Sequence, residues 1–254
     1  MLFEEERQQK IADYVQLKAR ASVQELAQQF QVSESTVRRD LKILEEAKQL
    51  RRTHGGAVML VSDNAEPTFM EKEDRFRAQK EAIAKAAVSF VEEGDTLVLD
   101  SGTTTYYLSK ELKAFKQLTV VTNSIMVAQE LSSHTGIELV LTGGTFRHET
   151  LAMVGPLTER ALGSVYVDKA FLAINGVDSS VGLTTPNLLE ASAKKSMIRS
   201  AKQVILLADH SKFGKVSFAK VAELSEIDQI LTDDGITDKA VKEMLAAGIK
   251  VTVV

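Results

Sequence analysis

Ser33-Glu34-Ser35-Thr36-Val37-Arg38-Arg39-Asp40-Leu41-Lys42 is the stretch from which the first part of this 254-residue chain is read. Ser33 has the right side chain for an N-cap, so a helix is predicted from Glu34 to about Ala47. At about 100° per residue, Val37, Leu41 and Leu44 share one stripe of that helix, and Ser35, Arg38, Arg39 and Lys42 gather on the opposite side. One face is built to pack. The other carries three cations and a hydroxyl.

Upstream, Ser22-Val23-Gln24-Glu25 has the form of a capping box, in which serine and glutamate satisfy backbone N–H groups at a helix start. Val23, Leu26, Ala27 and Phe30 follow at helical spacing, and Gln31-Val32-Ser33 breaks the run. With an earlier helix carrying Ile11 and Val15, two helices joined by so tight a turn form a helix-turn-helix. Downstream, Leu50-Arg51-Arg52-Thr53-His54-Gly55-Gly56-Ala57-Val58 places two short β-capable runs around a Gly-Gly turn, the pattern of a wing hairpin.

A helix fits the DNA major groove, where arginine pairs with guanine or contacts phosphate, and wing cations suit the backbone. Ser33, Ser35, Thr36, Arg38, Arg39 and Lys42 on the helix, with Arg51, Arg52 and His54 on the wing, are therefore the candidate DNA contacts. A charged helix face is usually only a solvated one. Here motif, charged face and wing coincide.

Overall composition points the other way at first sight. With 31 Lys+Arg against 35 Asp+Glu the net charge is −4, which argues against nucleic acid. The charge is unevenly spread: residues 1–60 hold ten Lys/Arg against nine Asp/Glu, and the rest hold 21 against 26. A basic footprint is thus carried by an otherwise acidic chain. Zero cysteine excludes disulfides, thiolate metal sites and cysteine nucleophiles, and 4 His leave little for a histidine-built metal site. No metal or cofactor is expected. The N-terminus resembles neither a signal peptide nor an anchor, so a soluble cytoplasmic protein without membrane partners is expected.

Neither helix nor strand period persists around Met59–Pro67, which sets a domain of 1–60, a linker of 61–79 and a second domain of 80–254. Lys80–Val91 reads as an amphipathic helix. Beyond it, β-rich runs alternate with helical ones: Thr96–Leu99, Leu118–Val121, Glu138–Leu141, Ala170–Ile174, Val204–Ala208, Ile227–Leu231 and Lys250–Val253. That alternation predicts an α/β domain with a mainly parallel sheet.

In such sheets ligands bind beyond the carboxyl ends of the strands. Five successive loops there are polar and glycine-rich, and together they predict one pocket. The first, Asp100-Ser101-Gly102-Thr103-Thr104-Thr105, offers N–H groups, hydroxyls and a helix dipole, equipment for phosphate or equally a polar turn with a capping threonine. Thr122-Asn123-Ser124, Gly143-Gly144-Thr145 and Asn175-Gly176-Val177-Asp178 supply the next three. Asp209-His210-Ser211-Lys212 supplies the fifth, where Lys212 is the candidate counter-charge for an anion unless it only pairs with Asp209 at the surface. Arg147 is a weaker candidate. No Gly-x-x-x-x-Gly-Lys-Ser/Thr or Gly-x-Gly-x-x-Gly motif is present.

The run Ser33–Leu41 followed by His54-Gly55-Gly56-Ala57 resembles the signature of DeoR-type bacterial transcriptional regulators, and the likeness extends over nearly the whole chain. The resemblance implies an operator-binding winged helix-turn-helix and a larger domain that senses a phosphorylated sugar, usually relieving repression. The second domain is similar to the sensor domain of these regulators, which resembles ribose-5-phosphate isomerase in fold. In those isomerases an Asp-Gly-Ala-Asp motif and a later glutamate do the chemistry. Here Asn175 replaces the first aspartate, Asp178 keeps the second, and Glu190 stands where the base would, or is simply an early helix residue favoured by the dipole. Asparagine cannot exchange a proton as a general base must. The expectation is a repressor of a sugar-utilisation operon, dimeric or tetrameric on double-stranded operator DNA and without catalytic residues. The alternative is retained aldose–ketose phosphate isomerisation.

Overall fold

The computed structural model describes residues 4–18, 20–47, 49–53, 55–59 and 67–254. These fall into two units, Met1–Glu66 and Pro67–Val254, each with its own apolar core.

The first unit runs α1 (Glu4–Lys18), β1 (Arg20–Ser22), α2 (Val23–Phe30), α3 (Glu34–Glu46), β2 (Leu50–Thr53) and β3 (Gly56–Met59). Both predicted caps form: the Ser22 hydroxyl accepts the Glu25 N–H at 3.1 Å, and Ser33 accepts that of Thr36 at 3.2 Å. Ile11, Val15, Leu26, Val37, Leu41 and Leu44 are buried together, so three amphipathic helices close one core. The hairpin β2–β3 is the expected wing, with β1 added as a third strand in the order β1-β3-β2. Gly56 is required by that strand, because a Cβ there would stand 2.1 Å from the Ala21 carbonyl oxygen.

The second unit opens with α4 (Phe69–Asp74) and α5 (Arg77–Ala87), then β4 (Thr96–Leu99), α6 (Thr103–Glu111), β5 (Leu118–Thr122), α7 (Ile125–Leu131) and β6 (Ile137–Leu141). A small hairpin, β7 (Thr145–Arg147) and β8 (Ala152–Val154), precedes α8 (Pro156–Gly163) and β9 (Val167–Ala173). There follow β10 (Gly176–Asp178), β11 (Gly182–Thr185), α9 (Leu188–Arg199), β12 (Ala201–Leu207), β13 (Ala219–Ala222), β14 (Gln229–Thr232), α10 (Asp238–Ala246) and β15 (Lys250–Val253).

Seven strands form one parallel sheet in the order β15-β14-β12-β9-β4-β5-β6. Val98, Leu172 and Leu206 pack on one face, and Leu97, Leu99, Phe171 and Ile205 on the other, which is the alternation of strands covered on both sides. The first strand, β4, has β5 and β6 on one side and β9 on the other. Its border with β9 is the point where the winding reverses, and there the strand-to-helix loops part to leave a crevice.

Residues 68–79 differ from the linker expected across 61–79. Thr68 and Glu71 form a capping box, and Phe69 is buried at 3% exposure, so this segment is helical and anchored to the second unit. Between α4 and α5, Phe76 adopts a left-handed φ of 53° and sets its ring edge-on to His210, 4.8 Å between centroids.

Candidate functional site

On the first unit, the α3 face is laid out as its periodicity predicts. Ser33, Ser35, Arg38, Arg39 and Lys42 are exposed, and Thr36 is half-buried. The hydroxyls of Ser35 and Thr36 each lie 2.8 Å from that of Ser33, so the three act as a single cap at the helix start. Arg38 pairs with Glu34 at 3.0 Å and Lys42 with Glu46 at 3.9 Å, one turn away in each case. Arg39 carries no ion pair among the described residues. On the wing, Arg51 sits in β2 opposite Val58. Arg52 donates its backbone N–H to Glu45 Oε1 at 2.9 Å and its Nε to Oε2 at 2.6 Å, which braces the wing against α3 and holds the Glu45 carboxyl below its ordinary range. His54 lies outside the described residues.

Asp40 belongs to none of these contacts. It is fully buried, and its carboxylate takes the Nε and Nη2 of Arg7 at 2.7 and 3.0 Å. Its position, three residues after Val37 and one before Leu41, puts it on the packed stripe, a signal that it needs a buried partner.

On the second unit, the crevice between β4 and β9 is a partly open pocket with a cavity volume of about 50 Å³. The first loop forms one wall with Ser101, Gly102, Thr103 and Thr104. Gly102 is obligatory here, since a Cβ would meet that of Ala173 at 2.1 Å. Thr105 does not face the space: its hydroxyl accepts the Gly102 N–H at 2.9 Å and donates to the Asp100 carbonyl at 2.6 Å, tightening the turn. Asp100 is likewise structural. One carboxylate oxygen accepts the Ser101 N–H at 2.8 Å; the other accepts the Ala173 N–H at 2.9 Å and is held by the buried Lys194 ammonium.

The fourth and fifth loops supply Asn175, Asp209 and Lys212. Lys212 Nζ lies 3.7 Å from Asp209 Oδ2, and burial pushes its pKa down. This is no surface pair, because Asp209 is 1% exposed. Asp209 Oδ1 accepts the Ser211 N–H at 3.0 Å, whereas Oδ2 has no hydrogen-bond partner among the described residues. Glu190 closes the far side, 4% exposed, accepting from Thr150 Oγ1 at 2.6 Å with Arg147 Nε at 3.2 Å. The Thr185 hydroxyl lies 2.9 Å from Asn175 Oδ1 and 3.4 Å from Glu190 Oε2.

The second and third loops do not reach the pocket, because β5 and β6 lie progressively farther from the switch point. Thr122 donates to the Leu99 carbonyl at 2.7 Å, Asn123 to that of Met153 at 2.9 Å, and Ser124 caps α7. The Gly143 carbonyl accepts from Thr158 at 2.7 Å, Gly144 holds a left-handed turn before β7, and Thr145 begins that strand. Asp178 is also elsewhere: it receives Ser180 and Val181 N–H groups at 2.9 and 3.0 Å and shapes the β10–β11 turn.

The structure adds what loop reading leaves out. Phe69, Lys72, Lys80, Thr150 and Lys194 all line the pocket, so Lys212 is one of four lysines there. Lys80, 2% exposed, donates to the Lys72 and Arg75 carbonyls, the latter at 2.5 Å, and burial lowers its pKa to about 8. Lysines on helices at the linker and in α9 carry no loop signature; only a helix period ending in a buried cation hints at them.

Comparison with known proteins matches residues 7–63 to the DeoR-like helix-turn-helix domain and residues 75–234 to the DeoR C terminal sensor domain. The chain belongs to the DeoR family of transcriptional regulators. The HTH-type regulator YulB of Bacillus subtilis is 40% identical over 98% of this chain and 96% of its own length. The HTH-type regulator GlpR of Haloferax volcanii is 39% identical over 97% and 96%, and the repressor GlcR of B. subtilis 38% identical over 91% and 89%. A solved ribose-5-phosphate isomerase in complex with phospho-erythronic acid aligns with 54% of this chain and 54% of its own at 21% identity and a TM-score of 0.41. The family and these relatives are named as transcriptional regulators and not as enzymes, and this family member is a DNA-binding regulator. No described helix is long and apolar enough to cross a membrane.

Proposed function

We propose that this chain is a repressor whose operator affinity is set by a phosphorylated sugar held between β4 and β9. One observation carries the ligand class: Lys72, Lys80 and Lys212 line the pocket against Glu190 and Asp209, with Lys194 already held by Asp100, so positive charge is in surplus beside a glycine-threonine helix start. A phosphate monoester carries about −1.5 to −2 charge at neutral pH and is drawn to such a surplus. Its oxygens meet the N–H groups and hydroxyls of Thr103 and Thr104, with Lys80 and Lys212 as counter-charges. Sugar hydroxyls fall to Asn175, Glu190 and the open Oδ2 of Asp209, without a metal or other cofactor.

Repression is supported by relatives such as GlcR and the putative aga operon repressor of Escherichia coli, 32% identical over 98% of this chain. DNA contact by α3 and the wing follows from the exposed Arg38, Arg39, Lys42 and Arg52. A homodimer or homotetramer would present two recognition helices to a two-fold operator.

Thermal shift against fructose, tagatose, galactitol and amino-sugar phosphates tests the pocket. A stabilising ligand that Lys212→Ala no longer recognises supports it. Absence of a response across the panel refutes it.

A further inference from the structure

The first residues of the second unit are hydrogen-bonded to a turn that also reaches the pocket. Between β7 and β8, Thr150 is 5% exposed and donates to Glu190 Oε1 at 2.6 Å. Arg147 reaches the same oxygen at 3.2 Å and Glu149 Oε2 at 3.6 Å. Between these two anchors, the Glu149 carbonyl accepts the Phe69 N–H at 2.6 Å. Phe69 is the first residue of α4 and begins two residues after the boundary with the DNA-binding unit. Its ring lines the pocket and sets edge-on to Tyr106, 5.8 Å between centroids. The turn closes on Leu151, whose φ of 53° is left-handed, a conformation that a side chain bearing a Cβ keeps only while its surroundings hold it.

We propose that the 147–151 turn is the relay by which pocket occupancy reaches the DNA-binding unit. The inference rests on the pocket being the effector site. A ligand hydroxyl donating to Glu190 competes with Thr150 and Arg147 for the oxygen that pins the turn. Once released, the turn relaxes at Leu151 and withdraws the Glu149 carbonyl from Phe69, which loosens α4 where the chain crosses from one unit to the other. Occupancy then changes operator affinity by as much as the ligand prefers the released state. Thr150 is a positioning residue in this scheme: it holds Glu190 and the turn in the state that binds DNA.

The test needs no ligand, so it stands apart from the sugar-phosphate panel. In the full chain, Thr150→Val removes the hydroxyl donor at nearly constant volume and mimics occupancy. Residue-level hydrogen exchange then shows faster exchange at Phe69 as well as at 147–151, with β9 and β12 amides unchanged. Affinity for a duplex selected from a random pool by the wild-type protein falls by about fivefold or more, the lower end of ordinary allosteric coupling. Thr150→Ser restores both. Glu190→Leu, which removes the acceptor oxygens themselves, gives the same pair of changes and serves if the valine variant does not fold. Faster exchange confined to the turn, a loosened Phe69 with unchanged DNA affinity, or no change at all would overturn the relay.

Discussion

Arg7 Nε lies 2.7 Å from Asp40 Oδ2, and the pair locks the first helix against the helix that carries the DNA-facing cations. Both groups are buried, at 8% and 0% exposure, so neither charge has water to fall back on. Asp40→Asn leaves an uncompensated guanidinium, and breaking a buried pair from one side costs about 3–5 kcal/mol. The expected result is a lower unfolding transition for the first unit, with that of the second unit unchanged in the same denaturation curve. A single unshifted transition would show that the pair is dispensable.

Arg38 and Arg39 occupy the same exposed face but start from different states. Arg38 must leave Glu34, an exposed i,i+4 pair worth only about 0.3–0.5 kcal/mol, whereas Arg39 has no ion-pair partner to leave among the described residues. Either Arg38→Ala or Arg39→Ala weakens specific binding by about 1–3 kcal/mol if the side chain reads a base, and relaxes preference at one position. A residue that touches only phosphate instead weakens all sequences alike and lowers the salt slope by about 1. Titrations of selected and scrambled duplexes at several salt concentrations separate the two roles.

Lys80 gives the proposed anion site a pH dependence just above neutrality. Its folded pKa is lowered to about 8 by burial, against about 10.4 for an unperturbed lysine. Between those values the unfolded chain binds more protons than the folded one, so the stability cost of burying this ammonium shrinks as pH rises from about 8 towards 10. Anion binding follows the opposite trend, because only the charged form attracts phosphate. Calorimetry with inorganic phosphate is expected to show affinity falling by up to about tenfold per pH unit above pH 8. Lys80→Met flattens that dependence; an unchanged slope in this variant would remove Lys80 from the binding scheme.

Gly102→Ala drives a Cβ to 2.1 Å from that of Ala173, where the end of β4 touches the end of β9. Overpacking of this kind costs about 1–3 kcal/mol. Because the clash also displaces the Ser101–Thr104 wall, ligand-induced stabilisation should disappear along with it. Urea denaturation of the variant with and without the effective sugar phosphate measures both effects.

Local pattern was enough for the first unit. Ser22 and Ser33 cap their helices, Val37, Leu41 and Leu44 pack, and the Gly55-Gly56 turn joins two strands, because capping and helical period are short-range effects. The strand β1 has no signature in the sequence, since three residues supply no period and its pairing with β3 is set by tertiary contact. In the second unit the strand runs are legible from their alternation with helices, but the five polar loops that pattern groups together do not form one site. Loops after β5 and β6 carry the same residue types as those after β4 and β9, and a sequence does not say which strands are neighbours.

The sequence by itself determined that a winged helix-turn-helix precedes a parallel α/β domain, that α3 turns Arg38, Arg39 and Lys42 outwards, and that the Gly102-Thr103-Thr104 turn opens a helix beside a strand end. All of these follow from interactions within a few residues. Only the tertiary structure decided which polar residues share the pocket. It set Asp100 and Thr105 to bracing the turn, sent Asp178 and Asn123 elsewhere, and brought Lys72 and Lys80 of the neighbouring helices α4 and α5 together with Lys194 of the distant α9. It also paired Asp40 with Arg7, 33 residues away. The physical reason is the same in each case: a buried charge is tolerable only beside a partner, and the order of strands in the sheet fixes which partners come within reach.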